Sequence, residues 1–341
     1  MISGEIIHLL EKQHYSLVGG HSAVQICRWT KKSLRDEGVC YKEKFYGIKS
    51  HLCCQMTPAV MWCDNRCLHC WRAIEHTLGN KIGGKLNSPS EIIDGCIEAQ
   101  KKLLGGFNVD KNSKKKQLSK ANQKKYQEAQ EPMQFAISLS GEPTIYPKIG
   151  ELINELRRRG KTSFLVSNGL HPEKLKELSE KRQLPTQLYI SVNAPNEKLY
   201  NELHRSSMKN AWEKLNESLE LMSKLTPLGV PPTAEYWGNC RMVFRMNLIK
   251  DFNMYEEHIK EYAKLIVKAK PWFVEIKGYM SVGFARQRLG YDKMPTDKEM
   301  KLFIEKLAKE TKLKILDSHE FSRAWVLGKS KSRLKIKEEE I

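Results

Sequence analysis

Gln55-Met56-Thr57-Pro58-Ala59-Val60-Met61-Trp62-Cys63-Asp64-Asn65-Arg66-Cys67-Leu68-His69-Cys70 is the stretch from which the rest of this chain is read. The mostly apolar run 55–62 predicts a strand that delivers three cysteines onto one short loop. Their C-x3-C-x2-C spacing lets three thiolates hold one metal centre from a single turn of backbone. Three ligands leave a coordination position open, and an open position is where metal chemistry happens. A closed four-ligand site is usually structural.

A second thiol set lies upstream. Twelve residues separate Cys27 from Cys40, and twelve separate Cys40 from Cys53. Basic and aromatic residues stand between them, as a surface that contacts phosphates and bases needs. The segment reads as too polar for core. The alternative is buried free cysteine, which is common for this residue type. Adjacent cysteines do not comfortably ligate one cluster, so the equal spacing favours Cys53 and leaves Cys54 as the other option. Of nine cysteines, seven fall between Cys27 and Cys70 in a chain of 341 residues. That usage points to metal or cluster ligation rather than a disulfide scaffold.

Downstream, apolar runs of strand length alternate with helical periodicity. Strands are expected at 133–139, 162–166, 187–192, 240–248 and 272–277, with helices at 149–159, 172–181, 197–225 and 255–269. This alternation predicts an α/β fold with a parallel sheet and helical crossovers, open or closed as a barrel. In either form ligands gather at the carboxyl ends of the strands. Ser140-Gly141-Glu142-Pro143-Thr144, Ser167-Asn168-Gly169 and Asn193-Ala194-Pro195 each follow a strand, as the cysteine loop does. Each alone is an ordinary turn; their regular placement after successive strands is the signal. A helix over 89–104 with Ser88 or Ser90 as N-cap, a helix over 297–310 and a strand over 313–316 complete the pattern.

Lys and Arg number 58 against 40 Asp and Glu, a formal net charge of +18. That imbalance points to a polyanionic partner, of which nucleic acid is the commonest. Arg28, Trp29, Lys31, Lys32 and Arg35, the lysines of 111–125 and the basic tail Lys329 to Lys337 are its expected contacts. No apolar run is long enough to span a bilayer, and the start of the sequence lacks the pattern of a signal peptide. A cytoplasmic, monomeric protein without a membrane segment is expected.

The cysteine loop after the first strand, with Gly-Glu-Pro after the second, resembles the radical S-adenosylmethionine (SAM) superfamily. The twin twelve-residue spacings, the Cys40-Tyr41-Lys42 run, Ser-Gly-Glu-Pro-Thr and the basic character resemble more closely the archaeal tRNA 4-demethylwyosine synthases. The resemblance implies a partial (β/α)6 barrel over about 55–280 with a basic insertion at about 109–131, an N-terminal extension over 1–54 carrying an auxiliary cluster, and a C-terminal extension over 281–341. It implies two [4Fe-4S] clusters, one on Cys63, Cys67 and Cys70 and one on Cys27, Cys40 and Cys53. SAM would bind the first cluster and yield a 5′-deoxyadenosyl radical. His69 would lie near the adenine, and Gly141, Glu142, Pro143 and Thr144 would meet the SAM amino group through a charge-assisted hydrogen bond. Ser167, Asn168, Ser191 and Asn193 would reach its ribose and carboxylate. The substrate implied is tRNA(Phe) carrying 1-methylguanosine beside the anticodon, closed to a third ring with two carbons of pyruvate. Lys42 would form a Schiff base with pyruvate or neutralise its carboxylate, the second being the preferred reading. Electrons would come from a separate donor such as ferredoxin or flavodoxin. Two alternatives stand beside this. One is another radical SAM enzyme acting on RNA or a peptide; the other is a zinc-stabilised RNA-binding protein without catalysis.

Overall fold

A computed structural model of the chain describes residues 2–108, 121–225, 240–337 and 340. The chain divides into two compact units, one of Met1–Trp62, Lys81–Leu165 and Lys335–Ile341, the other of Cys63–Asn80 and Val166–Leu334.

The first unit opens with helix α1 (Gly4–Lys12), capped by Ser3, and then a hairpin of β1 (Ser16–Val18) and β2 (Ser22–Gln25). Gly19, at φ +59, makes the tight reversal that lets three- and four-residue strands pair. Short helices α2 (Arg28–Leu34) and α3 (Tyr41–Tyr46) follow, then β3 (Cys53–Thr57). β3 begins two residues before the expected strand and stops at Thr57, because Pro58 cannot donate to the ladder. Helix α4 (Pro89–Leu104) is capped by Ser88, the first of the two expected N-cap candidates, in a capping box with Glu91. α5 (Gln123–Glu128), β4 (Gln134–Ile137), α6 (Ile149–Arg158) and β5 (Thr162–Ser167) follow. β3, β4 and β5 are parallel neighbours, and β2 joins β3 antiparallel.

Two expectations about this unit change. The expected insertion over 109–131 is only partly within the described residues, since 109–120 lie outside them. Its end folds into α5, whose Tyr126, with Ala129 just beyond, packs in one core with Ile26, Leu34, Leu104 and Phe107. The cysteine-bearing segment is also less polar in practice than in sequence. Tyr41, Phe45 and Tyr46 are buried, and so are Thr30, Ser33 and Lys42. Its polar groups are consumed internally: Thr30 Oγ1 donates to Ser50 O (3.1 Å), and Ser50 Oγ donates to Glu43 (2.6 Å).

The second unit holds the loop 63–70, then α7 (Pro172–Glu180), β6 (Gln187–Ser191), α8 (Glu197–His204) and α9 (Ala211–Leu225). The expected single helix over 197–225 is two, because Arg205 adopts a left-handed conformation (φ +46) and ends α8. β7 (Arg241–Leu248), α10 (Glu256–Ala269) and β8 (Phe273–Gly278) complete a parallel β6-β7-β8 order. After α11 (Ala285–Arg288) and α12 (Asp297–Thr311), β9 (Lys314–His319) and β10 (Ala324–Gly328) form a hairpin, with β10 antiparallel against β8. The sequence reading found only the start of β9 and missed β10. Six parallel strands in chain order, three per unit, realise the expected α/β class.

Among the described residues no helix is long and apolar enough to cross a membrane.

Candidate active site

The loop 63–70 is held by its backbone. Cys63 N donates to Gly79 O (2.8 Å), Arg66 N to His204 O (2.9 Å) and Leu68 N to Leu203 O (2.9 Å). The last carbonyls of α8, unmet inside their own helix, are thus used on the loop. Two arginines bind its carbonyls. Arg72 Nη2 donates to Asn65 O (2.6 Å), and Arg288 in α11 donates to Leu68 O (3.2 Å), Arg72 O (3.2 Å) and Cys70 O. Asp64, its carboxylate fully buried, accepts from His171 (2.9 Å). Backbone, guanidinium and carboxylate contacts thus fix the loop at both ends and along its length.

The loop thiols stand beside the Arg72 guanidinium. Burial pushes Cys67 well above the ordinary thiol range, and Cys70 and Cys63 push it further. Burial alone would lower the Arg72 guanidinium, but the three thiols beside it outweigh burial and raise it. A buried thiol gives a thiolate readily only beside a cation or metal. None of the three is in a disulfide. This donor set fits an iron–sulfur cluster.

His69 and Asn193 do meet, as strand-end placement implied. Asn193 Oδ1 accepts from Asn247 N (3.1 Å), so its Nδ2 faces His69 Nε2 (3.2 Å) and His204 Nε2 (3.5 Å). Both imidazoles accept there and so carry their proton on Nδ1. Burial lowers His69 to about 4, with Arg288 and Arg245 adding, and lowers His204 to about 3, with His69 adding. Both are neutral near pH 7. Both Nδ1 atoms are buried without a partner. An unmet donor costs about 1–3 kcal/mol, and a group bound at this site would satisfy it. Asn168 Nδ2 lies 4.0 Å from Cys63 Sγ. Ser167 Oγ accepts from Gly169 N (3.0 Å) and keeps its own O–H to donate. Ser191 ends β6, half-buried, in register with Arg245.

In the first unit, burial pushes Cys53 up to about 12; Lys42 opposes this while Cys27 and Cys40 add to it. These three thiols and Lys42 therefore share one electrostatic neighbourhood. Cys54 does not belong to it. It is fully buried, raised by burial and then by Cys96 of α4, because adjacent strand residues face opposite ways. Lys42 is 8% exposed, with Nζ 4.9 Å from the Phe164 ring centroid.

Gly141 stands at φ +72, and a Cβ there would lie 1.9 Å from Ala59 O and 2.6 Å from Trp62 O. Glu142 N donates to Trp62 O (2.7 Å), and the Glu142 carboxylate accepts from Thr144 N (3.1 Å) and Oγ1 (2.7 Å). Pro143 begins the 3-10 turn that Glu142 caps. Of the expected nucleic-acid contacts, Lys32 lies over the Trp29 ring (5.6 Å) and Arg35 over Phe107 (5.1 Å). Lys111 to Lys120 lie outside the described residues. Part of the basic tail packs on α3, with Ile336 N donating to Tyr46 O (3.0 Å) and Lys335 Nζ to Glu43 O (3.3 Å).

Arg72, His204 and Arg288 were not foreseen. Arg72 follows the last cysteine closely enough to have been named. Arg288 lies far along the chain, and nothing in its local sequence marks it.

Comparison with known proteins completes the assignment. Residues 58–266 match the radical SAM superfamily and residues 268–329 match wyosine base formation. The S-adenosyl-L-methionine-dependent tRNA 4-demethylwyosine synthase of Pyrococcus abyssi is 44% identical over 305 residues, 89% of this chain and 82% of that protein. The chain belongs to the tRNA 4-demethylwyosine synthases. The Methanocaldococcus jannaschii synthase is 33% identical over 99% of this chain and 100% of that one. The solved structure of TYW1 with a lysine–pyruvate adduct bound is similar at a TM-score of 0.81 and 32% identity, covering 99% of each chain. This synthase is accordingly a radical SAM enzyme of tRNA modification. Its family implies SAM and a [4Fe-4S] cluster, and Cys63, Cys67 and Cys70 are the donors that fit one. Membership displaces the zinc-binding alternative.

Proposed function

We propose that this synthase joins pyruvate to 1-methylguanosine beside the anticodon of tRNA(Phe), and that it uses two clusters to do so. Cys63, Cys67 and Cys70 bind the cluster that, loaded with SAM, supplies the 5′-deoxyadenosyl radical. Cys27, Cys40 and Cys53 bind an auxiliary [4Fe-4S] cluster, with Cys54 left to core packing. Glu142 takes the ammonium of SAM, and Pro143 and Thr144 hold Glu142 in place. Asn193 orients His69 for the adenine, and Asn168 and Ser191 line the remaining polar edge. Electrons arrive from a separate ferredoxin- or flavodoxin-type donor. The enzyme works as a cytoplasmic monomer.

One observation carries the pyruvate assignment. Lys42 is a nearly buried lysine in the electrostatic neighbourhood of a thiol triad, and a relative of 32% identity holds a lysine–pyruvate adduct. That adduct supports the Schiff-base role of Lys42 over charge neutralisation. Lys42 Nζ attacks the pyruvate C2 carbonyl and releases water, leaving an imine. The phenyl ring of Phe164 shields the lysine from solvent and holds its amine in one orientation.

The test is borohydride reduction of the enzyme with labelled pyruvate. Label should attach to wild-type protein at Lys42 and be absent from Lys42→Arg. Unlabelled wild-type protein would remove the imine and restore charge neutralisation as the role of Lys42.

A further inference from the structure

The Ser318–Trp325 stretch has no part in the cluster site, yet the topology brings it to that site's rim. His69 meets Asn193 at the end of β6, and Asn193 accepts from Asn247 on β7. Asn247 is in register with Lys277 on β8, and Lys277 with Ala324 at the start of β10. β10 is antiparallel to β8, so the β9–β10 tip, 320–323, emerges at the carboxyl end of the parallel strands. That end is the face where ligands gather in such sheets. Three strand spacings, about 14 Å, separate the strand of Asn193 from the tip, a reach of a few nucleotides.

The tip presents Phe321, which is 80% exposed and the most exposed large apolar side chain among the described residues. Single exposed apolar residues are ordinary on protein surfaces, but the turn that carries this one is tied down by hydrogen bonds. Ser322 N donates to His319 Nδ1 (3.1 Å), Lys277 Nζ to Ser322 O (3.3 Å), Gly278 N to Arg323 O (2.9 Å) and Arg323 Nη1 to Pro295 O (3.0 Å). The His319 ring stands edge-on to Phe321 at 6.4 Å. An exposed aromatic face on a held turn, with a lysine and an arginine alongside, has the chemistry that stacks an unpaired base. Little ordering entropy remains to be lost when it binds.

We propose that Phe321 is a base-stacking platform for an unpaired nucleotide of the tRNA anticodon loop, next to the nucleotide that enters the site. This rests on tRNA being the substrate. Stacking is indifferent to base identity, so the platform holds the loop open without reading sequence.

The test measures binding of cluster-loaded, full-length enzyme to tRNA carrying 1-methylguanosine, by anisotropy across a salt series. Phe321→Ala should raise Kd about five- to a hundred-fold, and Phe321→Trp should keep wild-type affinity. The salt slope should stay unchanged in both, because no phosphate contact is lost. Thermal stability should stay unchanged too, because the side chain is exposed. Wild-type affinity in Phe321→Ala would overturn the inference, and wild-type affinity in Phe321→Leu would replace stacking with plain apolar contact. A change of oligomeric state in Phe321→Ala with unchanged tRNA affinity would assign the residue to a second copy of the chain. Wild-type enzyme that binds no tRNA would overturn the substrate reading and this inference with it.

Discussion

Replacing Gly141 by alanine isolates what the Gly-Glu-Pro turn contributes. Gly141 and Gly160 both lie in the first unit at similar positive φ, +72 and +65, but their surroundings differ. A Cβ on Gly160 meets nothing within 4 Å, whereas one on Gly141 falls 1.9 Å from Ala59 O and 2.6 Å from Trp62 O. Gly160→Ala therefore loses only the left-handed backbone term, about 1–2 kcal/mol. Gly141→Ala loses that same term and must also push backbone away by more than an ångström. The Glu142 N to Trp62 O bond, 2.7 Å in the native turn, then breaks at a cost of about 1 kcal/mol. Forced displacement of packed atoms adds about 1–3 kcal/mol. The totals are about 1–2 kcal/mol for Gly160→Ala and about 3–6 kcal/mol for Gly141→Ala. For a folding unit of this size the thermal midpoint should fall by roughly 2–8 °C in the first case and by roughly 6–24 °C in the second. Differential scanning calorimetry of the anaerobic protein, with SAM affinity measured in parallel, reads both. A Gly141→Ala midpoint no lower than that of Gly160→Ala would refute the contact geometry assigned to this turn.

Three further outcomes follow from the same structure. Cys53→Ala should lose four of eight irons on anaerobic reconstitution while Cys54→Ala keeps all eight, as counted by iron and sulfide assay; the opposite pattern would exchange the two residues. Asn193→Asp places an acceptor where Nδ2 now donates to His69 and His204, so one imidazole should take up a proton and its pKa, now about 4 or about 3, should rise by about one to three units. Histidine NMR titration of the apoprotein checks this, and unmoved resonances would refute the tautomer assignment. The Lys250 ammonium and the Thr296 cap hold the Glu299 carboxyl down to about 2, so its contribution is complete above the usual carboxylate range and fades as pH falls toward 2. Glu299→Gln keeps a side chain able to close the capping box but removes the charge that faces Lys250 and the helix N-terminus, so it should cost about 0.3–1 kcal/mol at pH 7, and the difference should shrink with acidification; a constant difference would deny the role of the charge.

Sequence alone settled what depends on local spacing. The C-x3-C-x2-C loop, the twin twelve-residue intervals and the alternation of strand and helix were legible because cluster ligation and secondary structure are both set by neighbours a few residues away. The start of the helix at Ser88 was readable for the same reason. Tertiary structure decided whatever depends on which distant groups share a small volume. It separated Cys53 from Cys54 by turning one toward Cys27, Cys40 and Lys42 and the other toward Cys96. It also brought Arg288 onto the carbonyls of Leu68 and Cys70, some two hundred residues away in sequence. The β9–β10 hairpin was half invisible because the antiparallel pairing of β10 with β8 is a long-range fact, and that pairing is what lifts Phe321 to the rim. The three-cysteine loop was legible from its spacing. How the loop keeps its shape, with α8 carbonyls on one side and two guanidinium groups on the other, is written only in the fold.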